Sequence, residues 1–303
     1  MPELTVITTT YNRAECLMEC WESLRHQTCA DFQWLIIDDG STDDTYEKVK
    51  VIQEENPNII IDYVYKTNGG KHTALNKSHD YIKGKYVVIL DSDDRFTPDA
   101  VEMILTAWRK YEKQTEVGQV IFLKGYTEND PICYVAHDNI PVDTITEPRI
   151  GKTGRDCCDT FRTELFIKYP FPEFEGERFL GEGASFFFIE LVSKGVYINK
   201  VIYLCNYRED GLTKAGREMR IKNPLGGRYN SKVYMDRHLP LKIRIKKSIL
   251  YVCYSKFAKL GMVQNLRETK YKVLVLITYV PGVALYYFWK RKYLSCGENN
   301  EKV

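Results

Sequence analysis

The sequence predicts an α/β fold: a mostly parallel central sheet flanked by helices, with a helical C-terminal extension. Three observations predict it. Short apolar runs such as Tyr86-Val87-Val88-Ile89-Leu90 alternate with stretches of helical spacing such as Leu17, Cys20, Trp21 and Leu24. Repetition of that βα unit is the pattern of a parallel sheet covered by helices on both faces. Three of the runs end in polar clusters, Thr9-Thr10-Tyr11, Asp38-Asp39 and Asp91-Ser92-Asp93-Asp94. Parallel strands put such ends on one edge, where ligands bind in open α/β sheets.

Taken in order, Leu4–Thr9 reads as a strand and Arg13 to His26 as a helix. Phe32–Asp38 is the second strand, and Thr42-Asp43-Asp44 caps a helix reaching Glu55. Ile59–Tyr65 is the third strand, Asn68-Gly69-Gly70 a turn, and His72 to Ile82 a helix leading to the Tyr86–Leu90 strand. Pro98 opens another helix, and Gln119–Leu123 is a further strand. Gly151–Arg162 is a polar loop and strand, Glu182–Lys194 a helix rich in Phe, and Val196–Tyr207 a last strand. The following segment, with Arg217, Arg220 and Lys222, reads as polar and mobile. No internal repeat or low-complexity tract is evident.

The chain has 303 residues, 44% hydrophobic and 28% charged, an ordinary globular composition for one large domain with an appendage. Net charge is +2, so no global field selects a nucleic acid or other acidic partner. The nine Cys form no metal-type pair; Cys16 and Cys20 sit one helical turn apart and Cys157-Cys158 are adjacent, as for buried reduced thiols. Met1-Pro2-Glu3-Leu4 enters a strand with no basic-then-apolar leader, so a cytoplasmic setting is expected.

Burying Asp91, Asp93 and Asp94 together is costly unless something positive sits there. A divalent cation bridging carboxylates to a phosphorylated ligand resolves the cost, and a solvated acidic turn is the plain alternative. With five His in the chain, a hard ion held by oxygen, Mn2+ or Mg2+, is expected. Gly181-Glu182-Gly183 begins like a dinucleotide fingerprint, but Phe186 stands where the third glycine belongs. Gly151-Lys152-Thr153 lacks the first glycine of a phosphate loop. There is no Gly-x-Ser-x-Gly elbow and no His-Glu-x-x-His helix.

Val6-Ile7-Thr8-Thr9-Thr10-Tyr11-Asn12-Arg13, Ile37-Asp38-Asp39-Gly40-Ser41-Thr42-Asp43, Asn68-Gly69-Gly70-Lys71-His72-Thr73-Ala74-Leu75-Asn76 and Leu90-Asp91-Ser92-Asp93-Asp94 together resemble the family-2 glycosyltransferases. The resemblance covers about the first 215 residues and implies the GT-A fold: a nucleotide-binding part over about 1–115, an acceptor part over about 116–215, and an extension over 216–303. It implies that Thr9, Tyr11, Asp39, Lys71, Asn76, Asp91 and Ser92 meet the donor nucleotide. Asp39 would accept from the base imide, and Asp93, with Asp91, would hold the metal. Where many members carry Ala-Arg-Asn this chain has Ala74-Leu75-Asn76, so Lys71 would supply the missing cation. Glu182 matches the family's catalytic base, although Gly183 replaces the acidic residue that often follows. Glu177 and Asp210 are the fallbacks. The implied reaction moves a sugar from a nucleotide diphosphate to an acceptor hydroxyl with inversion; Arg217, Arg220 and Lys222 are candidates for a lid over the diphosphate, though a solvated loop is the favoured reading of that segment.

Toward the C-terminus, Lys242, Arg244, Lys246 and Lys247 interleave with apolar residues. Val273–Trp289 is uncharged and apolar, interrupted by Pro281-Gly282 and flanked by Lys270, Lys272, Lys290, Arg291 and Lys292. The run is marginal for a spanning helix. A bent interfacial or re-entrant element on the cytoplasmic face of the cell membrane is expected, beside the alternatives of a core helix or a homodimer contact. Such a position suits a glycan or lipid-linked acceptor. The rival functions are a catalytically inactive scaffold or glycan-binding subunit, which would be free to lose Asp91, Asp93 and Glu182, and a nucleotidyltransferase, whose Gly-rich, Arg-containing loop Tyr11-Asn12-Arg13 does not supply.

Overall fold

The computed structural model describes residues 1–56, 58–146, 149–151, 156–205 and 212–294. It divides into two compact units, Met1–Phe171 with Ser185–Arg208, and Pro172–Ala184 with Glu209–Val303.

In the first unit, β1 (Leu4–Thr10), α1 (Ala14–Arg25), β2 (Phe32–Asp38), α2 (Thr45–Glu55), β3 (Ile60–Tyr65), α3 (Lys71–Ser78) and β4 (Tyr86–Ile89) follow the predicted order. α3 stops at Ser78, short of the expected Ile82. A turn from Ser78 to Tyr81 (Tyr81 N–H to Ser78 carbonyl, 2.9 Å) steers the chain so that Gly84 lies flat on β1. A Cβ at Gly84 would stand 2.5 Å from the Thr5 nitrogen, so this approach requires glycine. β3, β2, β1 and β4 pair in parallel, with Thr10 opposite Asp38 and Ile7 opposite Ile89, so the ends of β1, β2 and β4 share one edge.

The chain continues through β5 (Arg95–Phe96), α4 (Ala100–Tyr111) and β6 (Val117–Thr127), then four short strands, β7 (Asp130–Pro131), β8 (Cys133–Val135), β9 (Pro141–Val142) and β10 (Arg149–Gly151). β11 (Cys157–Arg162), α5 (Thr163–Lys168), α6 (Gly183–Val192) and β12 (Lys194–Leu204) follow. The main sheet runs β3-β2-β1-β4-β11-β6-β12-β5. The alternation predicts parallel pairing, and this holds for β1 to β4. β11 instead inserts antiparallel between β4 and β6. No helix lies among the described residues between β6 and β11, and an antiparallel strand needs no crossover helix. Two stacked aromatic pairs anchor the core: Trp21 on Trp34 at 5.3 Å and Tyr86 on Trp108 at 4.3 Å. The buried indole N–H groups of Trp34 and Trp108 are satisfied, by Thr8 (3.0 Å) and Thr160 (2.8 Å).

The second unit is helical: α7 (Leu212–Lys222), α8 (Pro224–Val233), α9 (Leu241–Phe257), α10 (Met262–Arg267) and α11 (Lys272–Tyr293). The polar segment expected to be mobile is helical over α7, with a kink at Gly216 (φ +34°). Pro281-Gly282 does not interrupt the apolar run either, because α11 continues through both. Pro281 sits on the exposed side, while Gly282 faces α9, where a Cβ would meet the Val252 Cβ at 2.5 Å. The Ser248 and Thr278 hydroxyls hydrogen-bond at 2.6 Å across this seam. Arg228 is buried beneath α9 and donates to Tyr251 (2.6 Å), Ser255 (2.9 Å) and Glu268 (2.6 Å).

Candidate active site at the strand ends of the first unit

The loop after β1 is fastened to the loop after β2. Asn12 adopts φ +50°, donates from its N–H to the Ser41 hydroxyl (2.9 Å) and accepts from the Thr42 N–H (2.7 Å). The Asp43 carboxylate accepts from the Ala14 N–H at 3.1 Å, opening α1. Two residues of the expected site, Thr9 and Tyr11, belong to this rim, and Tyr11 is 46% exposed. Asp38 is buried, accepting from the Ser41 N–H (2.7 Å) and the Tyr63 hydroxyl (2.6 Å). Burial, and then that carboxylate, push the Tyr63 phenol well above its usual range. Beside it, Asp38, Ser41, Asp43, Tyr46, Tyr63 and Tyr65 line a cavity of about 300 Å³.

Asp39 is also buried, but it faces the Asn68-Gly69-Gly70 turn. Its carboxylate accepts from the Lys66 ammonium (2.7 Å) and the N–H groups of Gly69 (3.0 Å) and Gly70 (2.7 Å). Gly40 (φ +92°) must be glycine for this approach, since a Cβ there would lie 2.8 Å from the Asn68 nitrogen. Asp39 therefore clamps the turn that launches α3, a role that its place in the sequence did not reveal. Asn76, expected near base and phosphate, pairs both ways with the backbone of Phe171, each bond 2.8 Å. Those two bonds brace α3 against the chain after α5.

The clearest convergence is at the end of β4. Lys71, the first residue of α3, pairs with Asp91, and Arg13, from the loop after β1, pairs with Asp93. Asp91 is held low at about 2: burial opposes ionisation, but Lys71, then Lys124 and Arg13, overcome it. The carboxylate is thus charged throughout the neutral range. Ser92 is buried in the turn, whose Asp94 N–H donates to the Asp91 carbonyl at 3.0 Å. Asp94 lies beneath, its carboxylate accepting from the Tyr203 hydroxyl (2.8 Å), which in turn accepts from the Asp91 N–H (3.0 Å). Lys124, on β6, sits 4.2 Å above the Tyr203 ring. Arg13, Lys124 and Tyr203 were missed in the sequence, where only the isolated charge closing the apolar run Val120–Leu123 hinted at one of them.

Glu182 belongs to the second unit. It stands one residue before α6, partly exposed, and the carbonyl of the next residue, Gly183, accepts from the Tyr234 hydroxyl at 3.1 Å. Glu177, a fallback base, is engaged elsewhere: its carboxylate accepts from the Leu225 (2.6 Å) and Gly226 (2.7 Å) N–H groups at the start of α8. An acidic cap there satisfies helix N–H groups that have no internal partner. Asp210, Lys152 and Thr153 lie outside the described residues. Arg217 packs over the Trp289 ring (4.6 Å) and Arg220 over Phe179 (5.7 Å), while Lys222 pairs with Glu218 (2.8 Å). These cations are engaged within the second unit, contrary to a solvated loop.

Comparison with known proteins gives a consistent picture. The model of the family described as Glycosyl transferase family 2 matches residues 5–168. The chain is 37% identical over 110 residues to a chondroitin synthase of Pasteurella multocida (strain Pm70), a match covering 36% of this chain and only 11% of that protein. It is 26% identical over 235 residues to the glycosyltransferase GlyG of Streptococcus pneumoniae serotype 4, covering 70% of this chain and 73% of the relative. Among solved structures, the mannosyltransferase PcManGT of Pyrobaculum calidifontis, in complex with GDP-Man and Mn2+, superposes with a TM-score of 0.57 at 19% identity, covering 96% and 83% of the two chains. S. aureus TarS 1-349 in complex with UDP-GlcNAc gives 0.56 at 16% identity, covering 94% and 80%.

Proposed function

The chain belongs to glycosyl transferase family 2, built on the GT-A fold, and from that premise we propose that it moves a sugar from a UDP-sugar to a hydroxyl of a glycan or lipid-linked glycan, with inversion and with a divalent cation. The observation that carries this reading is the paired set Arg13–Asp93 and Lys71–Asp91, charges of both signs gathered at the strand edge where a diphosphate would lie. Asp91 and Asp93 fit a hard cation, being carboxylate oxygen donors on the rim of the unit, each beside a basic side chain. Among the described residues no third His, Cys, Asp or Glu joins them, so diphosphate and water would complete the shell. Bound there, Mn2+ or Mg2+ would supply positive charge to the departing diphosphate.

The protein's own groups do the rest. Thr9 and Tyr11 line the nucleotide rim, and Asp39 keeps the Gly69-Gly70 turn in place so that Lys71 is presented at the start of α3. Lys71 and Arg13 face the charge that builds on the leaving group, where fixed cations act most strongly. Glu182 takes the proton of the acceptor hydroxyl as its oxygen attacks the anomeric carbon opposite the diphosphate. Proton and leaving group depart in one step, and no protein nucleophile is required. The test is release of nucleoside diphosphate from a panel of UDP-, GDP- and dTDP-sugars with Mn2+. Turnover of a UDP-sugar is expected, and absence of turnover across the panel with a range of acceptors would count against the reading.

The extension bears on the acceptor. Among the described residues, α11 alone is long and apolar enough to cross a membrane, yet its inner side is packed on α9. Its outer side carries Val273, Leu276, Ile277 (71% exposed), Val280 (76%), Tyr287 and Phe288 at helical spacing. Lys272 precedes this stripe and Lys290, Arg291 and Lys292 follow it, while Lys242 and Lys246 on α9 are exposed. We propose that α11 lies flat in the headgroup zone of an anionic bilayer. Lys247 does not contribute, because its ammonium is turned onto the Tyr234 ring at 4.2 Å and burial lowers it to about 8. Co-sedimentation with vesicles containing phosphatidylglycerol is expected, weakened about tenfold or more in Ile277→Glu/Val280→Glu. Equal pelleting of variant and wild type would refute this placement.

A further inference from the structure

We propose that Arg13 and Lys71 occupy the metal-facing carboxylates until a nucleoside diphosphate draws them away, so that nucleotide and divalent cation enter the site together. The inference rests on the metal-assisted reading above and adds an order of assembly to it.

The geometry points to this through the way the charges are already matched. The Arg13 guanidinium bonds the Asp93 carboxylate, and the Lys71 ammonium bonds that of Asp91. All four side chains are partly shielded, between 18% and 31% exposed. A divalent cation arriving alone would have to compete for these oxygens with two positive charges already bonded to them. A diphosphate changes the balance. It offers oxygens to the planar fork of Arg13 and to the ammonium of Lys71, so each cation exchanges one anion for another and none is left unpaired. The carboxylates so released become available to the metal.

The local structure supports movement of the side chains without movement of the backbone. The loop carrying Arg13 is pinned through Asn12 to Ser41 and Thr42, and through Ala14 to Asp43. Lys71 follows Gly70, whose N–H is held by Asp39. In both residues the charge lies at the end of a long flexible stem on a fixed base. A transfer between anions a few bonds apart needs only rotamer changes.

The test is isothermal titration of the full chain with MnCl2 alone, and again with UDP or GDP present. Wild type is expected to take Mn2+ alone about tenfold or more weakly than Mn2+ with its preferred nucleotide. Arg13→Met is expected to tighten binding of Mn2+ alone by about tenfold while weakening the nucleotide several-fold, because an internal competitor for Asp93 and a diphosphate ligand are lost together. Arg13→Lys, which keeps a cation, should stay near wild type for Mn2+ alone. The inference is overturned if a folded Arg13→Met binds Mn2+ alone no more tightly, or if Arg13→Lys tightens it equally. Should Arg13→Met not fold, Lys71→Met carries the same expectation at Asp91. If wild type binds no Mn2+ with any nucleotide, the metal-assisted reading itself falls and takes the inference with it. Intact joint binding with unchanged Mn2+-only affinity in the variants overturns the order of assembly alone.

Discussion

Asp93→Asn is expected to lower kcat/KM for sugar transfer by about a thousandfold while leaving the fold intact. The substitution keeps the shape and removes one negative charge from the rim. Asp93 is paired with Arg13 in a partly exposed position, where an ion pair contributes little to stability, so the melting temperature should move only slightly. Catalysis depends on the charge in a different way. In the proposed reaction, its loss would take a ligand from the divalent cation and, with it, positive charge from the leaving diphosphate as it forms. The two effects separate cleanly: turnover measured with the preferred UDP-sugar should collapse, and the thermal unfolding curve should superpose on that of wild type. A variant with activity within tenfold of wild type would show that Asp93 holds no metal needed for the reaction.

Glu182→Gln carries the second large effect, a loss of about 10² to 10⁴ in kcat. The amide cannot take the acceptor's proton, but it occupies the same space at the start of α6, where Glu182 is partly exposed and Gly183 is held by Tyr234. A purely structural glutamate at a helix start would contribute a few tenths of a kcal/mol to about 1 kcal/mol through the helix dipole, and its loss would leave kcat almost unchanged. Nucleotide affinity in Mn2+ should stay near wild type, because the role proposed for Glu182 is on the acceptor and not on the nucleotide. Glu177→Gln should behave oppositely, since that carboxylate is bound to the Leu225 and Gly226 N–H groups: stability falls and the chemistry of the remaining folded protein persists. Equal turnover in Glu182→Gln and wild type would transfer the role of base to another residue.

Much of the first unit was legible because its information is local. β2 was readable residue by residue, Phe32–Asp38, since a strand buried on both faces leaves a mostly apolar run, here broken only by Gln33 and closed by charge. The polar strand ends were readable for the same reason, and parallel pairing then set those of β1, β2 and β4 on one edge. What stayed hidden depends on contacts far apart in sequence. The Arg13–Asp93 pair spans 80 residues and the bond from the Asp91 N–H to Tyr203 spans 112. No periodicity marks either. Asp39 and Asn76 look like ligand-facing polar residues in the chain, and only the fold reveals that one clamps the Gly69-Gly70 turn and the other braces Phe171. β11 was read as a strand but not as the one that breaks the parallel pattern, because direction depends on the connection before it. Pro281-Gly282 reads as a break, yet with proline outside and glycine against Val252 the pair fits a continuous packed helix.

The proposed function requires the edge formed by β1, β2 and β4 to hold a nucleoside diphosphate together with a divalent cation. It is tested most directly by isothermal titration of UDP, GDP and dTDP into the full chain, each with and without Mn2+. The expected result is that UDP binds in Mn2+, binds at least about tenfold more weakly without it, and loses the difference in Asp93→Ala. Failure of all three nucleotides to bind in Mn2+ would contradict the claim.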